Sequence, residues 1–274
     1  DRMYNVKGEL YWPVNPTNPA LHPFWTPEFF GDVMTVNGKS WPYLSVAPRK
    51  YRFRVLDGCN ARFLNLWLQN LVGRVAGPSI TVIGSDGAFL DAPVVLNPAA
   101  KQTLLMAPGE RYDVIIDFTA VPPGTTFTLM NNANAPYPNG LPVVPGLTDR
   151  IMQFVVNGTI VTPDASVVAT PRSAPMVKLT NFAGAVTPGV TVNLKRQILL
   201  NEVATLTGPA EVLFNNSHFD ADTKIAGAPL EFGGPTETPF EGTTELIQII
   251  NSTVDAHPIH ILLTRWQLVT RQAF

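Results

Sequence analysis

The chain has 274 residues, 45% of them hydrophobic and 15% charged, enough to bury one large core or two modest ones. Its 19 Lys and Arg against 21 Asp and Glu leave a formal net charge of -2, and the cations are scattered rather than gathered in a stripe, which excludes nucleic acid as a partner. No apolar run reaches the ~20 residues a bilayer-crossing helix needs, so no membrane partner is expected, and 26 Pro and 20 Gly set among short runs of Val, Ile, Thr and Phe predict an all-β fold.

Residues 1–30 are rich in Pro, Asn and aromatics, as in Tyr11-Trp12-Pro13 and His22-Pro23-Phe24-Trp25, with no period of two or 3.6, and are expected to form a connecting segment. The first four residues, Asp1-Arg2-Met3-Tyr4, lack the charged and apolar regions of a signal peptide, so the compartment is not legible. The absence of an initiator Met and the ending at Phe274 directly after a strand-like run suggest an excised segment of a longer protein.

Strand signals begin in earnest after residue 30. Tyr51, Phe53 and Val55 alternate with Arg52 and Arg54, which puts an apolar row on one face and cations on the other. Further runs at 63–68, 80–83, 112–118, 127–130 and 151–156 are separated by turn clusters such as Gly84-Ser85-Asp86-Gly87 and Ala107-Pro108-Gly109-Glu110. This spacing predicts one antiparallel sandwich or barrel over 31–157. The single cysteine, Cys59, cannot form an internal disulfide; it is read as a buried inert thiol, with metal ligation as the alternative.

Residues 158–193, loaded with Pro, Thr, Ala and Ser, are expected to be a linker. A second domain is expected over 194–274, with strands at 197–200, 211–214, 244–250 and 259–269, too few to close two sheets. Such a domain leaves strand edges open, so the remaining parts of the protein or another chain are expected to cover it.

Two of the four histidines fall in Asp255-Ala256-His257-Pro258-Ile259-His260-Ile261-Leu262-Leu263. If this is a strand, His257 and His260 project from opposite faces and one segment can serve two metal sites. Imidazole suits copper, iron or zinc, and apart from Asp255 no carboxylate stands in register for a hard cation. A hydrogen-bonded structural pair satisfies the same spacing.

Three stretches resolve that choice by resemblance: Gly31-Asp32-Val33-Met34-Thr35-Val36-Asn37-Gly38-Lys39-Ser40-Trp41-Pro42-Tyr43-Leu44, Pro48-Arg49-Lys50-Tyr51-Arg52-Phe53-Arg54-Val55 and Ala107-Pro108-Gly109-Glu110-Arg111-Tyr112-Asp113-Val114-Ile115-Ile116-Asp117-Phe118. They resemble the middle domain of multicopper oxidases, with spore-coat laccases, bilirubin oxidases and phenoxazinone-synthase-type enzymes the nearest by pattern. Gly242-Thr243-Thr244-Glu245, Ile249-Ile250-Asn251 and His257-Pro258-Ile259-His260 are similar to the opening of that family's last domain. The resemblance implies cupredoxin-like Greek-key β-sandwich domains, one nearly complete and one partial. It implies a copper enzyme that oxidises phenolic or tetrapyrrole donors such as bilirubin one electron at a time and reduces dioxygen to water, at a secreted, periplasmic or spore-surface location. It also implies His257 as a type 1 and His260 as a type 2 copper ligand.

The family pattern at this point is His-Pro-x-His-x-His, and the third His, a type 3 ligand, is replaced here by Leu262, which has no donor atom. The family's two His-x-His motifs and its His-Cys-His segment are absent, so the chain is not expected to be an oxidase by itself. A degenerate or non-catalytic cupredoxin-like module, copper-binding or purely structural, is the alternative these absences keep open. His22 and His218 match no copper motif and are read as surface or packing residues. The loop 131–148 stands where relatives place part of the donor-pocket rim, with a plain solvated loop as the alternative. Gly84-Ser85-Asp86-Gly87 is read as a turn, and Glu110 and Asp113 as strand-edge acids.

Overall fold

A computed structural model describes residues 1–11, 28–158, 163–181, 183–205, 208–217 and 237–273; His22 and His218 lie outside them. Within the described residues one compact unit takes in 1–11, 28–176 and 257–266, and a second takes in 177–256 and 267–273.

The first unit is built on two sheets that share one core. Its strands are β1 (Thr35–Val36), β2 (Lys39–Ser40), β3 (Tyr43–Val46), β4 (Lys50–Leu56), β5 (Leu64–Asn70), β6 (Val75–Ala76), β7 (Ile80–Ser85), β8 (Ala88–Leu96), β9 (Leu104–Met106), β10 (Arg111–Asp117), β11 (Thr126–Asn131) and β12 (Arg150–Val156). One sheet runs β4-β10-β7-β8 and the other β3-β12-β11-β5-β6, with β9 added on β5. The non-consecutive neighbours are crossovers of the Greek-key kind.

Period-two alternation sets these faces. On β4, Tyr51, Phe53 and Val55 pack against the core while Arg52 and Arg54 face solvent. On β10, Val114 and Ile116 are buried at 2% and 4% exposure, and Phe118 follows at 0%. Phe118 meets Tyr51 edge-on at 6.1 Å and lies 5.5 Å from Phe154 and 6.4 Å from Phe127, so rings from both sheets converge on it. Ser85 pairs with Ala88 across Asp86-Gly87, a two-residue hairpin loop of the Asp-Gly kind.

On the solvent side of the same sheet, Arg52 Nε donates to Asp113 Oδ1 at 2.8 Å, and the guanidinium lies 5.5 Å from the Phe89 ring centroid. Hydrogen bonding to Arg52 holds the Asp113 carboxyl below its ordinary value.

The second unit contains β13 (Leu194–Thr205), β14 (Gly208–Phe214) and β15 (Glu245–Asn251), ordered β14-β13-β15. β13 is antiparallel to β14 and parallel to β15, with Ile198 opposite Ile249. Arg196 donates from Nε to Glu245 Oε2 at 2.6 Å and from Nη1 to Glu237 Oε2 at 3.0 Å, tying β13 to β15 on their polar side.

The expected strand at 259–269 does not form: no strand occurs among the described residues after Asn251. Alternation yields a strand only where a neighbour offers a ladder, and here the segment is held by isolated bonds instead. In the second unit Leu179 N donates to Gln267 Oε1 at 2.8 Å, Gln267 Nε2 to the Val177 carbonyl at 2.6 Å and Gly184 N to the Val269 carbonyl at 3.2 Å. Within 158–193, Asp164 accepts from Lys50 N at 2.8 Å and Asp91 from Met176 N at 2.8 Å, which lays this stretch along the first unit up to residue 176.

Two outcomes are expected. Phe118→Ala, by opening a cavity where both sheets meet, costs about 3–5 kcal/mol in a denaturant titration, and a loss under ~1 kcal/mol would contradict the core assigned here. Asp113, depressed in the folded state, stabilises the sheet above its unfolded value of about 3.9, and that contribution is lost as pH falls through the lower folded value. Arg52→Gln therefore brings the Asp113 pKa back up in a carboxyl-carbon NMR titration; an unmoved value would show that Arg52 is not its partner.

Candidate metal-binding segment

The segment that carries His257 and His260 begins where β15 ends. Asn251 closes a local turn: its Oδ1 accepts from Thr253 N at 3.1 Å and its Nδ2 donates to the Asp255 carbonyl at 2.6 Å. From His257 to Trp266 the chain belongs to the first unit and has no ladder, so the alternation that would put the two imidazoles on opposite faces does not apply. His257 is half-buried.

His260 is held at both ring nitrogens. Nδ1 stands 2.9 Å from Asp86 Oδ2 and Nε2 stands 2.9 Å from the Pro108 carbonyl oxygen. Both partners are oxygen acceptors, so both ring nitrogens are engaged. Burial alone would lower its pKa, but the bond to the Pro108 carbonyl and the Asp86 carboxylate outweigh burial, and the net direction is upward.

Asp86 is itself fixed: its Oδ1 accepts from Arg111 N at 2.7 Å, and Arg111 Nη1 lies 3.3 Å from Oδ2. In the sequence Asp86 and Gly109 read only as turn residues. Their approach to His260 spans more than 150 positions and leaves no local signal beyond the turn chemistry.

Copper needs an imidazole nitrogen with a free lone pair. As held here His260 has both ring nitrogens engaged by oxygens, and Leu262, 70% exposed, has no donor atom, so this arrangement does not fit a copper ion. The backbone at Leu263 has φ 64°, a left-handed conformation that a branched side chain adopts at a cost. A cleft of about 480 Å³ lies between the Asp86-Gly87 turn, Arg111 and residues 261–265.

Cys59 is half-buried, and burial, aided by the neighbouring Asp57, pushes its thiol up to about 12. It stays protonated at neutral pH, as an inert thiol would. Glu110 Oε2 accepts from Ala107 N at 2.8 Å and closes the 107–110 turn, while Asp113 pairs with Arg52, so each acid has its own structural partner.

The 131–148 loop is organised by Asn131, 1% exposed. Its Oδ1 accepts from Asn65 N at 2.9 Å and Ala133 N at 3.1 Å, and its Nδ2 donates to the Thr148 carbonyl at 3.0 Å. Tyr137 stacks on Phe63 at 5.0 Å. Asn131→Ala leaves these buried partners unmatched, at about 1–3 kcal/mol for each. Hydrogen exchange across 132–148 is expected to quicken while β10 stays protected, and unchanged exchange in the loop would contradict this role.

No family model matches the chain. Among curated proteins it is 37% identical over 272 residues to multicopper oxidase LPR1 homolog 3 of Oryza sativa subsp. japonica, covering 98% of this chain and 48% of that protein. It is 36% identical over 281 residues to the laccase of Bacillus subtilis (strain 168), covering 100% of this chain and 47% of the laccase. The chain thus spans about half the length of these relatives. Among solved structures, the McoA multicopper oxidase of Aquifex aeolicus superposes with a TM-score of 0.62 at 23% identity, covering 94% of this chain and 48% of McoA, a likeness of fold.

Proposed function

Because this chain belongs to the multicopper oxidase family, we propose that it is the middle part of a longer copper oxidase. In that protein it supplies the middle cupredoxin-like domain at 31–157, a linker at 158–193 and the opening of the last domain from 194 onward. The activity proposed for the whole is one-electron oxidation of a phenolic or tetrapyrrole donor coupled to reduction of dioxygen to water, in a secreted, periplasmic or spore-surface setting.

The observation that carries this reading is the match, in order and over essentially the whole chain, to about half of enzymes named for copper oxidase chemistry. The family pattern supports His257 as a type 1 and His260 as a type 2 copper ligand. Bound copper would supply the one-electron redox chemistry. His260 can join it only after leaving Asp86 and Pro108, since both of its ring nitrogens are engaged there.

A second reading, a cupredoxin-like module that binds no functional copper, is favoured by Leu262 at the third position of the pattern and by the engaged ring of His260.

The two readings part on one comparison. Copper-loaded intact protein is expected to show a blue absorption band and to oxidise a phenol, and His257→Ala is expected to remove the band. A band that survives His257→Ala would overturn the type 1 assignment; no band and no oxidation in the unaltered protein would favour the module.

A further inference from the structure

We propose that the first unit carries a built seat for the His260 imidazole, formed by the Asp86 carboxylate, the Pro108 carbonyl and the absent side chain of Gly109, which holds the 257–266 segment when His260 is not bound to metal. Only the last clause rests on the copper-ligand reading above.

Strand register assembles the seat. Pairing of Tyr112 with Ser85 sets Arg111 beside Asp86, and pairing of Arg111 with Leu56 sets the 107–110 turn beside Asp57. Both turns therefore meet at one end of β10.

Each wall is then locked from behind. Arg111 N holds Asp86 Oδ1 at 2.7 Å, which leaves Oδ2 to meet His260 Nδ1 at 2.9 Å. The 107–110 turn is held by Gly109 N donating to the Asp57 carbonyl at 2.8 Å, by Glu110 N donating to the Ala107 carbonyl at 3.0 Å, and by Ala107 N donating to Glu110 Oε2 at 2.8 Å. The Pro108 carbonyl is thereby fixed 2.9 Å from His260 Nε2.

Gly109 is required twice over. Its φ is +81°, and a Cβ there would stand 2.9 Å from His260 Nε2 and 3.3 Å from Cε1, where the ring now lies. Two oxygens at opposite corners of a flat slot meet the two ring nitrogens of one imidazole.

Occupancy of the seat and coordination by His260 exclude each other, because both use the same nitrogens. Whatever weakens the seat must raise the share of His260 free to coordinate.

The test uses the intact protein without metal, as wild type, Asp86→Asn and Gly109→Ala. Asp86→Asn keeps an oxygen for Arg111 N and removes the charge that receives Nδ1, so it separates loss of the seat from loss of the hairpin. Amide exchange across 257–266 is expected to quicken about tenfold to a hundredfold in both variants, the range for losing a charge-assisted bond, with β4 and β10 unchanged. Titration with Cu²⁺ alone is then expected to show tighter binding to Asp86→Asn than to wild type, and His260→Phe to abolish the difference. Exchange across 257–266 that is the same in both variants as in wild type overturns the seat, whatever copper does. Faster exchange with no Cu²⁺ binding to any variant supports the seat and instead removes His260 from the copper ligands.

Discussion

Strand β10 is placed by two ladders at once, with Val114 opposite Phe53 on β4 and opposite Val82 on β7. Because side chains alternate along a strand, a slip of one residue would turn Val114 and Ile116 to solvent and drive Asp113 and Ile115 into the core. The same slip would part Arg111 from Asp86 and Asp57 from Glu110. One register thus decides the buried row, the outer ion pair and the meeting of two turns at the strand's end.

The division of labour follows from the chemistry of each face. Inside, Phe118, Leu68, Met106 and Val156 remove nearly all their surface from water and supply the driving force for closing the sandwich. Outside, the Arg52–Asp113 pair lies on a partly exposed face and contributes little to stability, though it fixes which cation meets which acid. At the strand ends, where the ladders stop, backbone groups are met by side chains: Arg111 N by Asp86, Ala107 N by Glu110, and Asn65 N and Ala133 N by Asn131. The segment bearing His257 and His260 is held by this last kind of contact, which is why family pattern and local geometry pull apart at His260.

Much of the sandwich was legible. Tyr51, Phe53 and Val55 alternate cleanly, and β5, β7, β10, β11 and β12 all overlap apolar runs bounded by Gly, Pro or Asp. β8 was not, because Pro93 and the exposed Val94 and Val95 break the alternation and only its pairing with β7 makes it a strand. β13 extends over 12 residues where sequence suggested four, since β15 pairs with its first half, 194–200, and β14 with its second, 200–205. The run at 259–269 errs the other way: it is rich in apolar residues, and among the described residues no strand pairs with it. Family membership was legible from whole-chain motif order. The seat of His260 was not, since Asp86 and Gly109 advertise only a hairpin loop and a left-handed turn, and the ring that joins them is far along the chain.

The central proposal is that this chain is the middle of a longer copper enzyme, and native mass spectrometry of the intact gene product tests it most directly. A polypeptide about twice this length that carries copper is the predicted result, in keeping with relatives of which the chain covers 48% and 47%. A product of 274 residues, or a longer one that takes up no copper, would contradict the account.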